Sequence, residues 1–196
     1  VALAYSPDGK TLASGSYDHL VRLWDAGATR TQRILRGQAN WVLAVAFSPD
    51  GTRIAAGGID GTISIWEVAS GQLLQTLSGH TSWVTSLAYS RDGITLASGS
   101  VDQTICLWDV ASGRQRQVIR DLAGAVWAVA ISPDGATLAS GGYELGVRLW
   151  SLAGGQLLHT LHGHANWVDC LAFSPDGTLL ASAGHDHTIC LWDMGS

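Results

Sequence analysis

The chain has 196 residues, 46% of them hydrophobic and 14% charged, with a formal net charge of −5. That is ample for a sizeable core and too apolar for a disordered segment. No apolar stretch approaches the ~18 residues of a membrane helix, and no basic-then-apolar leader opens the sequence. The acidity does not describe a field for basic partners. Of 16 acidic residues, all but Asp121 and Asp169 occupy three fixed places in a repeat, where they belong to local turns.

Taken from the N-terminus, a first strand leads into Ser6-Pro7-Asp8-Gly9, and the same four residues return at 48–51, 132–135 and 174–177, with Ser-Arg-Asp-Gly at 90–93. Each step is 42 residues, and Trp24, Trp66, Trp108, Trp150 and Trp192 keep the same step without insertion or deletion. A fixed period of this length marks a repeat architecture. Trp41 to Phe47 is apolar on both faces, as expected of a strand in a sheet covered on both sides. Residues 72–77 (QLLQTL) read as an outer fourth strand. Trp83 to Tyr89 is short, β-branched and aromatic and ends in the Asp-Gly turn, where Asp satisfies turn amides and Gly accepts positive φ. A second strand at 95–100, a turn at Asp102 and a third strand ending in Trp108 complete that unit. Nowhere does a helical apolar stripe ten residues long appear. Small residues crowd the first two strands and larger ones the fourth, a gradient that fits sheets converging on an axis.

These units resemble WD-repeat β-propellers along essentially the whole chain. The matching residues are Gly79-His80 and Gly163-His164, the Ser-Pro-Asp-Gly turns, the aspartate before the third strand, and Trp24-Asp25, Trp108-Asp109 and Trp192-Asp193. The expected fold is all-β: a propeller of five 42-residue blades, the last lacking its outer strand, with units at about 1–36, 37–78, 79–120, 121–162 and 163–196. The chain starts without methionine and stops at Met194-Gly195-Ser196 inside a recurring turn, so it is read as part of a longer chain. An excerpt of a larger ring or arc, an assembly of several chains, and a closed five-bladed ring all stay open.

The resemblance implies hydrogen-bonded chains of His80, Ser98, Asp102 and Trp108, and of His164, Ser182, Asp186 and Trp192. Such a Ser/His/Asp set invites a hydrolase reading, but it occurs twice, ends in tryptophan, and has no long loop to build a pocket. The expectation is no enzyme, no catalytic residue and no cofactor. The second unit (Gly37-Gln38, Ala56, Trp66-Glu67) and the fourth (Asp121-Leu122, Glu144, Trp150-Ser151) depart from the pattern and are expected to rely on packing. His185-Asp186-His187 is read as no metal site, since neighbours on a strand end point to opposite sides. Arg30, Arg33 and Arg36, with Arg114, Arg116 and Arg120, are read as charged outer strands that block sheet pairing, not as a nucleic-acid site.

The resemblance also places Trp41, Trp83 and Trp167 on the narrower top rim, joined by Tyr17, Ile59, Val101, Tyr143 and His185. Ala125 holds the tryptophan's place in the fourth unit, and Trp127, two residues on, is expected in the core. A rim of exposed aromatic groups suits partner capture; covering the blade junctions is the competing role. The function expected is a non-catalytic protein-interaction scaffold or sensor, with a protein or peptide partner and no membrane. The alternative is an assembly element that self-associates to complete a ring. The similarity to bacterial tandem arrays extends this to a signalling context. Three cysteines, an odd and unpaired set, point to a reducing, cytoplasmic compartment.

Overall fold

A computed structural model describes residues 2–28, 31–120 and 123–195, so Arg30, Asp121 and Leu122 lie outside the described residues. The described residues form nineteen strands and no helix. The first sheet holds β1 (Ala2–Tyr5), β2 (Thr11–Gly15), β3 (Val21–Asp25) and β4 (Thr31–Leu35). The second holds β5 (Val42–Phe47), β6 (Arg53–Gly58), β7 (Thr62–Glu67) and β8 (Leu73–Ser78). The third comprises β9 (Val84–Tyr89), β10 (Thr95–Ser100), β11 (Ile105–Asp109) and β12 (Gln115–Ile119). The fourth comprises β13 (Val126–Ile131), β14 (Thr137–Gly142), β15 (Gly146–Ser151) and β16 (Leu157–His162). The fifth has three strands, β17 (Val168–Phe173), β18 (Leu179–Gly184) and β19 (Ile189–Asp193).

Every sheet is an antiparallel meander in chain order. The inner strands pack in series, β1 on β5, β5 on β9, β9 on β13 and β13 on β17. Sheets that meet at their inner strands and diverge outward are blades of a propeller, and the fifth lacks its outer strand.

The turn chemistry follows from the tetrapeptide. In the third blade Asp92 accepts from the Ser90 hydroxyl at 2.6 Å and the Ile94 amide at 2.9 Å, while Gly93 takes φ +72°. Its neighbours repeat the arrangement, which pins each hairpin to one register.

The core is divided into four clusters, each lying between two consecutive blades. Ile63, Ile65 and Leu77 of the second blade meet Val84, Leu96 and Trp108 of the third. Trp66, Trp108 and Trp150 are fully buried in such junctions. Close approach is secured by small residues on the second strand: a Cβ on Gly57 would lie 2.4 Å from Val84 Cγ1. The same pairing recurs as Gly15 with Val42, Gly99 with Val126 and Gly141 with Val168, whereas the fifth blade carries Ala183 at that position. The outward faces of the end blades are uncovered in this chain. Ile189 and Leu191 are 75% and 68% exposed, although their counterparts in the other four blades are buried.

Strands β5, β9 and β17 begin one residue later than the pattern suggests, leaving Trp41, Trp83 and Trp167 at the mouth of each strand. A β-bulge follows immediately. The register shifts around Leu43, Thr85, Trp127 and Asp169, which share one repeat position. Bulges re-aim the side chains they carry, and this one lies beside the rim.

Candidate functional site

In the third and fifth blades the expected polar chains are present, each with a single donor direction. The Trp108 indole N–H donates to Ser98 Oγ at 2.8 Å, and His80 Nε2 lies 2.7 Å from that hydroxyl. His80 Nδ1 lies 2.9 Å from Asp102, whose carboxylate also accepts from the Thr81 amide at 2.9 Å and the Thr104 hydroxyl at 2.6 Å. A neutral imidazole satisfies this order: Ser98 donates to Nε2 and Nδ1–H donates to Asp102. Burial pushes His80 below its usual value against the opposing pull of Asp102. Burial works to raise Asp102, but the Thr104 hydroxyl, the Thr81 amide and His80 prevail and hold it low. The fifth blade repeats the geometry, with His164 at 2.9 Å from Asp186 and 2.7 Å from Ser182, and Trp192 donating to Ser182 at 2.8 Å. Ser98 and Ser182 are buried. Each serine is buried and already accepts from an indole, so these sets lock the loop, the turn and the strands of one blade together.

The other blades are tied differently. In the fourth, Glu144 accepts from the Ala123 amide and forms an ion pair with Arg148, whose guanidinium lies 5.9 Å from the Trp150 ring centroid. Trp150 keeps its bond to Ser140 at 2.8 Å. The fourth blade, expected to be held more by packing than by the polar chain, thus carries a polar tie of its own. In the first blade Arg22 meets Asp18 at 2.6 Å, and this hydrogen bond draws the carboxyl down to about 2. In the second, Gln38 reaches Asp60 and Thr62 at 3.4 and 3.3 Å, and with Ala56 in the serine's place Trp66 donates to the Arg36 carbonyl at 3.0 Å.

The rim residues come together as a sequence of contacts. Within a blade, the residue before the turn aspartate donates its amide to the rim residue's carbonyl: Ile59 to Trp41 at 3.1 Å, Val101 to Trp83 at 3.0 Å, Tyr143 to Ala125 at 3.1 Å and His185 to Trp167 at 2.8 Å. Between blades, the same residue's ring meets the next tryptophan. Tyr17 and Trp41 have centroids 4.6 Å apart, and Tyr143 and Trp167 4.2 Å. His185 continues from Trp167 at 5.4 Å, and Trp127 approaches Tyr143 at 6.1 Å. Trp127 is thus half-buried at the rim and does not belong to the core, because the bulge turns it out of the alternation. Trp41, Trp83 and Trp167 remain 42%, 43% and 37% exposed.

Two rim features were missed by sequence reasoning. Asp169 lies 2.8 Å from His185, and Leu43, Thr85, Trp127 and Asp169 form a third in-register rim set whose 42-residue spacing is legible in the sequence. Arg33 is not a free edge charge: it binds the Ala69 carbonyl at 2.7 Å and that of Ser70, clamping the first blade to the second. Gln75 and Gln117 do the same for the next two junctions, at 2.7 Å to Val110 and 2.9 Å to Gly154. In His185-Asp186-His187, Asp186 faces the lock and His185 faces Asp169. Cys106 is buried, which pushes its thiol up to about 11, while Cys170 is exposed; all three cysteines are unbonded. A groove of about 670 Å³ lies at the opposite edge, between the turns of the third and fourth blades, lined by Arg91, Arg116, Pro133 and Leu152. Asp92 and Asp134 at its walls are engaged by their own turns.

The family model described as WD domain, G-beta repeat matches the chain five times, over residues 1–25, 29–67, 71–109, 116–151 and 155–193. The second to fifth matched segments each start at or near the outer strand of one blade and end with the third strand of the next. These four segments therefore each join two blades covalently.

Proposed function

The chain belongs to the WD domain, G-beta repeat family, and on that footing we propose that it is a non-catalytic scaffold holding a protein or peptide on its aromatic rim. Repeats of this family generally mediate protein–protein contacts. The observation that carries the reading is the exposure of Trp41, Trp83 and Trp167 at about two-fifths each. Trp41 and Trp167 meet neighbouring rings, and all three indoles keep a large part of their surface open to water. Exposed aromatic clusters cost solubility and mark binding surfaces, and tryptophan and tyrosine dominate interface hot spots. Partly covered rings of this kind can cover a junction and still offer surface to a partner.

The test is a set of peptides selected by display against the chain, then offered to the Trp83→Ala/Trp167→Ala double variant. Capture should be lost while oligomeric size is unchanged. Capture at the unsubstituted level would overturn the proposal.

Ile189 and Leu191 favour a second reading, in which the uncovered fifth face meets the uncovered first face, bearing Leu3 and Tyr5, of another copy. Sedimentation of the Ile189→Lys/Leu191→Glu variant decides this: a fall in assembly size supports it, and an unchanged monomer removes it.

A further inference from the structure

We infer that the rim at the fourth and fifth blades takes up a cationic side chain of the partner, a lysine or arginine, over Tyr143 and Trp167 with Asp169 as counter-charge. The inference rests on the rim reading above and names what one part of that rim selects.

Three observations lead to it. First, aromatic rings are continuous here, Trp127 to Tyr143 to Trp167 to His185, with centroid separations of 6.1, 4.2 and 5.4 Å. The faces of such rings carry negative potential and attract ammonium and guanidinium groups. Second, the bulges at Trp127 and Asp169, one in each blade, set an indole against Tyr143 and a carboxylate 2.8 Å from His185, at the two ends of that run. Third, the charge is one-sided. The segments 123–127, 142–146, 163–169 and 184–188 contain Glu144, Asp169 and Asp186 and no lysine or arginine. Glu144 is committed to Arg148, and Asp186 to its lock with His164. Asp169 touches only His185 among the ion pairs of the described residues, and its side chain stays 41% exposed. It is the carboxylate left facing outward.

The opposite end of the rim supplies an internal contrast. Tyr17 and Trp41 form a comparable pair, but Leu43 occupies the bulge and Asp18 is spent on Arg22. Asp18 is itself exposed, but that end carries its own fixed cation, Arg22, against it, so its charge is balanced where the other end's is one-sided, and it suits an uncharged side chain.

The experiment is an NMR titration of the chain with n-butylammonium, which reproduces the end of a lysine, and with n-butanol, its uncharged counterpart, at constant ionic strength. Indole N–H signals are assigned from single Trp→Phe variants. Saturable shifts of Trp127 and Trp167 are expected with the cation and not with the alcohol, while Trp41 responds alike to both. Asp169→Asn should weaken the cation about three- to fivefold, as expected for removal of one exposed charge partner, with the buried Trp108 signal in place as proof of fold. Equal response to the alcohol, or an Asp169→Asn variant that binds the cation as well as the original, would overturn the inference. If either occurs while the double tryptophan variant still loses partner capture, the rim reading survives and the cation assignment alone falls.

Discussion

Arg148 pairs with Glu144 in the place where the third and fifth blades use histidine and aspartate. The exchange is matched elsewhere on the strand: blades with the histidine carry Cys106 or Cys190 at the arginine's repeat position, whereas the fourth, with Leu122 in the histidine's place, carries Arg148, and the second, with Gln38 there, carries Ser64. A small side chain leaves room for an imidazole arriving from the loop, and an arginine fills that room from the strand itself. The fold thus needs a donor between carboxylate and indole more than it needs a particular residue.

Arg148→Ala should therefore cost about 1–3 kcal/mol, the range for a lost bond to a charged group. Urea unfolding measures the loss, and hydrogen exchange should find it in β14 and β15. Unchanged protection there would mean that packing carries the fourth blade after all.

His80→Ala leaves Asp102 buried with one donor fewer and should cost about 2–4 kcal/mol. His80→Gln should recover part of it, because Gln38 already spans the same gap to Asp60 at 3.4 Å in the second blade. Thermal unfolding of the two variants side by side checks the order. Equal losses would contradict the donor argument.

Acid should weaken the chain in two stages. His80 sits below its usual value of 6.5 because burial disfavours its charged form. Between that value and its folded value the unfolded chain binds more protons, so stability falls as pH drops through this window. Asp102 is held below 3.8, and its contribution is lost as pH falls further, through its folded value. Urea midpoints from pH 8 downward should decline first below about 6.5, and His80→Gln should flatten that first decline. A first stage equally steep in the variant would show that other groups cause it.

Gly57→Ala should cost about 1–3 kcal/mol, since the added methyl meets Val84 at 2.4 Å and must push two blades apart. Val84→Ala should restore part of the loss in the double variant, a positive coupling between neighbours. Additive losses would place the strain elsewhere.

Much of this was legible in the sequence. The 42-residue step gave the number of blades, the Asp-Gly turns gave the hairpins, and the two complete locks have their expected partners. The spacing of Trp127 and Asp169 was legible but their facing was not, because a bulge inserts one residue and breaks the alternation on which a facing assignment depends. The Arg148 lock was hidden for another reason. Its donor comes from the strand, four residues after its carboxylate, whereas the motif directs attention to a loop residue that the fourth unit has lost. The tilted contact of Tyr17 with Trp41 and the edge-on contact of Tyr143 with Trp167 join residues of different blades, which only the packing of sheets reveals.

The most direct measurement is fluorine NMR of the chain labelled with fluorotryptophan, recorded with and without a display-selected peptide. The account predicts that Trp41, Trp83 and Trp167 shift on binding while the buried Trp66, Trp108 and Trp150 stay in place. A peptide that leaves the rim signals untouched, or moves only tryptophans away from the rim, would contradict it.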